Sequence, residues 1–452
     1  MIEEVKGMDD RWAKLSPGQR RAERLTWYAT PVVPFASQEA EKAYLTRVQR
    51  FVDVYKVEEP DRVPVSLPAG TLPAYMYGAD YRAVMYDYKK AAELWLRFNE
   101  DFQCDHLVSP ARLLPGPVYE RLDYRLYAWP GHAMPDTAKG YQYVEGEYMK
   151  AGEYDYLIRD FSGFLMGTFM PRAFGALEPF AKLSPLINVL ELPTYYFMPH
   201  TKPEVQAALQ ALIDAGRLLA EWNAFMKEFD RRGKSLGFPP QSTMCFCKAP
   251  FDYLGDTLRG TKGIMTDMYR RPDKVLEAMD VVADASIANV VDTLNATRGL
   301  TALFPLHKGA DGWMSEKQFD TFYWPPLKKV IDACVDEGIL VTLFAEGAFN
   351  TRLDRVNEFP KGAVHWIFDR TDMATAKRVL GGNCCISGNV PSSILAAGTP
   401  GEVKEYCRKL IGICAPGGGY ILTPGTADLT EARPENVRAM MEAAREYGVY
   451  GK

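Results

Sequence analysis

The chain has 452 residues, 47% apolar and 25% charged, with a net charge of −5, a globular balance with material for a large core. Acids and bases are mixed along it, which argues against a nucleic-acid interface, since that needs a clustered basic face. The start, MIEEVKGMDDRWAKLSPGQRR, lacks the apolar stretch of a secretory signal, and no run of 18 apolar residues predicts a membrane span. At about 150 residues per domain the length suits two or three domains, or one barrel with insertions. Eight cysteines are too sparse for a disulfide scaffold and fit a reduced, cytoplasmic protein.

Residues 1–46 read as an N-terminal arm, polar and aromatic, with Pro31 and Pro34 interrupting helix formation. Apolar recurrence predicts a helix over 82–104, followed by a short buried strand in 105-DHLVSP-110. From 110 to 245 the pattern is mixed and punctuated by Pro and Gly; one long helix is expected at 203–233, where Pro203 suits a first turn.

The second half is regular. A helical stretch at 272–297 precedes the apolar run 301-TALFPLH-307, and a helix at 318–337 leads into 339-ILVTLF-344. The run 363-AVHWIF-368 is followed by a helix at 372–380, 383-NCCISG-388 by one at 400–413, and 419-GYILTP-424 by one at 434–447. Short apolar runs alternating with amphipathic helices signal parallel βα units. Five such runs favour a closed (β/α)8 barrel over a doubly wound sheet.

In such a barrel the chemistry gathers where the strands end. The residues just past the runs are His307, Lys308 and Asp311, then Glu346, then Asp369 and Asp372, then Asn389, then Thr423 and Thr426. Glu346 draws most attention, because an apolar run stops at a lone carboxylate and a glycine, Gly347, follows at once.

Several motifs resemble the uroporphyrinogen decarboxylase superfamily, which includes the corrinoid- and coenzyme M-linked methyltransferases. They are 60-PDRVPV-65, the stretch 249–275 with its APFDYLGDTLRG start, and the succession GNV, GTP-x-EV, APGGGYI and PENV over 388–448. The resemblance covers residues 47–452 and implies one TIM-type barrel, often dimeric in relatives, with 110–245 as an insertion over the mouth. The decarboxylases' RQAGR loop is absent, HLVSPARLL follows Asp105 without their second Asp, and Thr426 stands where their His would be. In the methyltransferases' zinc motifs this chain has Phe344 and Glu346 in place of His and Cys, and Gly418 in place of the second Cys.

The remaining polar set, His307, Asp311, Glu346, Asp369 and Asp372, is a His/carboxylate cluster. Nitrogen and oxygen donors suit a divalent metal, zinc first, on His307, Glu346 and Asp369. Metal-free use is equally open: a buried carboxylic acid can protonate a leaving group. Catalytic roles are therefore expected for Glu346, Asp369 and His307, with Asp311, Lys308, Asn389 and Tyr148 binding substrate. The expected function is methyl transfer from a small methylated substrate, such as an aromatic ether, to a corrinoid on a partner protein. Decarboxylation of a tetrapyrrole or aromatic acid, or a non-catalytic binding barrel, are the alternatives. A homodimer is expected.

Plainer structural roles compete. Glu346 could cap a helix or pair with Arg352 or Arg355, His307 could be a hydrogen-bonded core residue, and Asp372 could be an N-cap. Cys245 and Cys247 read as buried strand residues, and Cys384 and Cys385 as core. The glycines 417–419 lack the Lys-Ser/Thr continuation of a phosphate loop and suggest tight backbone passage at the mouth. The Tyr-rich stretch 141–156 either lines a flat-ligand pocket or is a solvated face.

Overall fold

Runs rich in β-branched and aromatic residues, bounded by glycine or a polar turn, extend because such side chains pack well on a pleated surface. The computed structural model describes residues 11–184, 186–242 and 244–451. A small sheet holds β1 (Tyr127–Pro130), β2 (Ala133–Met134) and β3 (Gln142–Tyr143), in the order β2-β1-β3. The main sheet holds β4 (Met244–Phe246), β5 (Thr301–Leu306), β6 (Leu340–Ala345), β7 (Val364–Phe368), β8 (Cys385–Ser387) and β9 (Tyr420–Ile421). These six are parallel and adjacent in sequence order, so the five apolar runs read from the sequence are five of them.

Among the described residues the hydrogen-bonded sheet does not close, which corrects the expected closed (β/α)8 barrel: the fold is α/β, mostly helical, around an open parallel sheet. Two further segments lie where the missing strands would be. Val65 bridges Leu422 in parallel, with Ser66 N donating to Leu422 O at 3.0 Å and Leu422 N to Pro64 O at 2.9 Å. Residues 105–108 touch the far edge through Leu107 N to Pro239 O at 2.6 Å. Between the two segments, side chains replace the ladder: Val65 N donates to Asp105 Oδ2 at 2.8 Å and Leu67 N to His106 Nε2 at 3.0 Å. Pro64, Pro68, Pro110, Pro239 and Pro240 remove amide donors here, and a ladder cannot form without them. Buried Asp105 also holds Arg50 at 2.7 Å and Arg62, tying this corner to the helix Gln38–Tyr55.

That helix runs through position 46, so the expected arm ends inside it. The preceding helix, Pro17–Ala29, starts with a capping box of Ser16 and Gln19 and docks through fully buried Arg24. Its guanidinium donates to the carbonyls of Gly299 at 2.6 Å, Glu337 at 3.0 Å and Leu294 at 3.2 Å. In the inserted region the long helix is present as Pro203–Ser235. The Tyr-rich stretch supplies β3, with Tyr127 opposite Tyr143, and the rings of Tyr141 and Tyr143 pack against that of Tyr127.

The glycines 417–419 all have positive φ, +79°, +76° and +69°, which only glycine adopts at little cost. A side chain at Gly418 would strike the backbone of Glu58. They precede β9, so the tight passage lies at the N-terminal end of the strands, opposite the expected mouth.

Candidate active site

Side chains alternate across a strand, and register carries that alternation from strand to strand. Thr342 pairs with His365 and Phe344 with Ile367, while Leu303 pairs with Thr342 and Pro305 with Phe344. One face of the sheet therefore carries Leu303, Pro305 and His307 from β5, Thr342, Phe344 and Glu346 from β6, and His365, Ile367 and Asp369 from β7. The carboxylate at the end of an apolar run is the next inward position after Phe344. It arrives at the rim for the same reason that His307 does.

The two meet. His307 Nε2 lies 3.7 Å from Glu346 Oε2, and His307 Nδ1 lies 2.5 Å from Asp256 Oδ2. Both rim side chains keep surface open, 32% for His307 and 41% for Glu346. Asp256 also receives Lys308 Nζ at 2.5 Å and Lys248 Nζ at 2.9 Å. Beneath it, fully buried Asp252 accepts from the amides of His307 and Lys308, each at 2.9 Å, and from Tyr323 Oη at 2.6 Å. The backbone carrying His307 is thus pinned by one acid and its imidazole oriented by another.

Local geometry explains how both acids reach one place. They are four residues apart in 250-PFDYLGDTL-258, one helical turn, and the turn widens over Tyr253–Leu258, where Arg259 N bonds to Leu254 O at 2.7 Å. A second widened turn, Phe319–Tyr323, delivers Tyr323. Such i→i+5 turns recur at functional sites. Tyr143, on the inserted β3, donates to Asp256 O at 2.6 Å, so the insertion touches the site.

The charges follow from these contacts. Burial lowers the His307 pKa, but the hydrogen bond and charge of Asp256, with Asp252 and Glu346, outweigh it and the net shift is upward. Burial raises Asp256, and the bond from His307 with the charges of Lys248 and Lys308 reverses this, holding it far below the usual carboxylate range. Asp252 is raised, by burial first and by Asp256 second. The arrangement favours the imidazolium form, a group able to give up a proton.

Other expected site residues are placed differently. Asp369 Oδ2 accepts Gly347 N at 2.9 Å, a turn in which Gly347 has φ +90°. Asp311 turns to the loop after β6, accepting Asn350 N and Thr351 Oγ1, each at 2.8 Å. Asn389 donates to Thr371 O at 2.7 Å, and with Asp369 it lines a separate groove. Tyr148 lies in the insertion, donating to Arg125 O at 3.4 Å. Asp372 caps the helix Met373–Leu380 through Thr375 N at 2.7 Å. Arg352 turns to the carbonyls of Gly309 and Met314 and Arg355 to Glu316 and Asp320.

The expected metal set, His307, Glu346 and Asp369, does not fit. Two of the three meet while Asp369 serves the Gly347 turn, and among the described residues no three His, Cys, Asp or Glu side chains come together as a metal group. Asp252, Asp256, Lys248 and Tyr323 were not singled out by the sequence reading. Their signal was two acids at four-residue spacing inside an otherwise apolar segment.

Comparison with known proteins agrees with the resemblance. Residues 239–447 match the family model of uroporphyrinogen decarboxylase (URO-D). A methyltransferase from Methanosarcina mazei is similar in structure, with a TM-score of 0.56 at 15% sequence identity, over 90% of this chain and 98% of that one. No curated protein matches the sequence. Over 239–447 the chain is similar to the uroporphyrinogen decarboxylase family, and the likeness to the methyltransferase shows a shared fold.

Proposed function

We propose that this divergent relative of the uroporphyrinogen decarboxylases is a methyltransferase that takes a methyl group from a small methylated substrate, an aromatic ether, and delivers it to a corrinoid on a partner protein. The observation that carries the reading is the imidazole of His307, set between Asp256 at 2.5 Å and Glu346 at 3.7 Å. An ether that loses its methyl group leaves the C–O bond pair on oxygen, and an aryloxide is a far better leaving group once protonated. His307 donates its Nε2 proton to that oxygen as the bond breaks. Asp256 holds the Nδ1 proton and stabilises the imidazolium before transfer. Glu346, beside Nε2, returns a proton from solvent for the next turnover. General acid catalysis of this kind contributes roughly 10²–10⁴-fold.

A reduced corrinoid would supply the nucleophile that accepts the methyl group. The solvent-open flanks of His307 and Glu346 leave room for a large planar acceptor to approach from outside. Decarboxylation could use the same proton, but a polycarboxylate needs cations, and the nearest two, Lys248 and Lys308, are both bound to Asp256. Cytoplasmic residence as a homodimer belongs to the same reading; eight buried, unpaired cysteines support a reducing compartment.

The test mixes the protein with free cob(I)alamin and anisole under anaerobic conditions and follows methylcobalamin by absorbance. Formation of methylcobalamin with release of phenol is the expected result. Release of carbon dioxide from an aromatic acid, with no methyl transfer from any ether, would overturn it.

A further inference from the structure

Below the rim, within the ring of strands and flanking segments, lies a cavity of about 310 Å³. His307 and Glu346 do not line it; Phe344 and Ile367 do, one inward position, or about 7 Å of strand, beneath Glu346 and Asp369. The cavity therefore lies one inward strand position below the proton donor, and its volume is at the low end of ordinary small-molecule pockets.

Its walls are apolar and partly aromatic, with Met226, Phe229, Met244, Leu303, Phe344 and Ile367 among them. Met244, on the inward face of β4, keeps 55% of its surface exposed, apolar area that a ligand would cover. Polar side chains line it too, and most have hydrogen-bond partners within the protein. His365 sits against Ser387 and Thr342, and His106 accepts Leu67 N. Gln241 Oε1 takes the Ser66 hydroxyl at 2.7 Å, which leaves its amide N–H groups as donors, and Thr423 lines the same space. No Lys or Arg lines it among the described residues, and the one acid that does is Asp230. Burial lowers His106 to about 4 and His365 to about 3, so neither supplies a positive charge at neutral pH.

We infer that this cavity binds the organic part of the substrate, and that it takes an uncharged, flat, aromatic molecule carrying an oxygen acceptor while rejecting carboxylates. An apolar chamber with donors but no cation leaves a carboxylate desolvated and unpaired, whereas an ether or carbonyl oxygen asks only for a hydrogen bond. The inference rests on the proposed methyl transfer for which end of the ligand reacts; binding itself does not depend on that chemistry.

The experiment is equilibrium binding of anisole and of 4-methoxybenzoate to the full chain, without corrinoid. Anisole is expected to bind at least tenfold more tightly. Thr423→Val and Phe344→Ala should each weaken anisole about fivefold, and His307→Gln should leave its binding within about twofold while lowering turnover roughly 10²–10⁴-fold. Equal or tighter binding of the carboxylate overturns the inference, and this comparison needs no variant. So does anisole binding insensitive to both Thr423→Val and Phe344→Ala. Retained selectivity with no methyl transfer supports the chamber and sinks the chemistry above it; methyl transfer without the selectivity does the reverse.

Discussion

His307 Nδ1 stands 2.5 Å from Asp256 Oδ2 although the two residues are 51 positions apart, one at the end of a strand and the other inside a widened helical turn. The pair sets both the tautomer and the charge of the imidazole, and Glu346 faces its other nitrogen.

If His307 is the proton donor, His307→Gln should lower the methyl-transfer rate by roughly 10²–10⁴-fold with little change in substrate binding. Asp256 acts through His307, so Asp256→Asn should lower the rate less. Steady-state kinetics would check this; a His307→Gln enzyme of full activity would sink the mechanism.

The pH profile follows from the sign of the shift. His307 has its pKa raised above 6.5, so the donating form is present below that raised value and disappears as pH rises through it. Activity should hold on the acid side and fall on an alkaline limb centred above 6.5. Asp256→Asn removes the chief interaction that raises the pKa and should move the limb toward lower pH. A limb that stays put in that variant would contradict the positioning role.

Uroporphyrinogen should not turn over measurably. The Arg-bearing loop and second Asp of the decarboxylases are missing, Thr426 replaces their His, and no free cation lines the chamber among the described residues. Robust conversion in an anaerobic assay would refute this.

Metal removal should leave the activity unchanged, because His307 and Glu346 are not joined by Asp369 into a donor set. Dialysis against a chelator, followed by the cob(I)alamin assay, checks it; loss of activity restored by zinc would show that the donor set forms after all.

Acid should unfold the protein from an unusually high pH. His106 and His365 are buried neutral, with pKa values lowered to about 4 and about 3. Below about 6.5 the unfolded chain takes up protons that the folded one refuses. Stability is then lost as pH falls toward those values, by about 1.4 kcal/mol per pH unit per histidine. Denaturant titrations at pH 7 and pH 5 would measure it, and His365→Gln should flatten the slope.

The sequence was most legible where its pattern is local. Strands β5 to β9 are short apolar runs closed by glycine or a turn, and strand alternation alone puts Glu346 on the same face as Phe344. The helix Pro203–Ser235 and the Asp372 cap follow equally from neighbours along the chain. Closure of the sheet was not local: it fails where prolines at 64, 68, 239 and 240 supply no amide donor, and the side chains of Asp105 and His106 take up the amides of Val65 and Leu67 instead.

By itself, then, the sequence determined the parallel βα order, the family resemblance and the arrival of His307 and Glu346 at one rim, since alternation and strand direction are properties of consecutive residues. The tertiary structure alone decided which acid orients the imidazole and what lies beneath it. Asp252 and Asp256 reach His307 across 55 and 51 positions of chain, Tyr323 reaches Asp252 across 71, and Asp369, expected beside the imidazole, turns away to hold Gly347. A side chain's partner is set by packing between distant segments, and no spacing in the sequence encodes that distance.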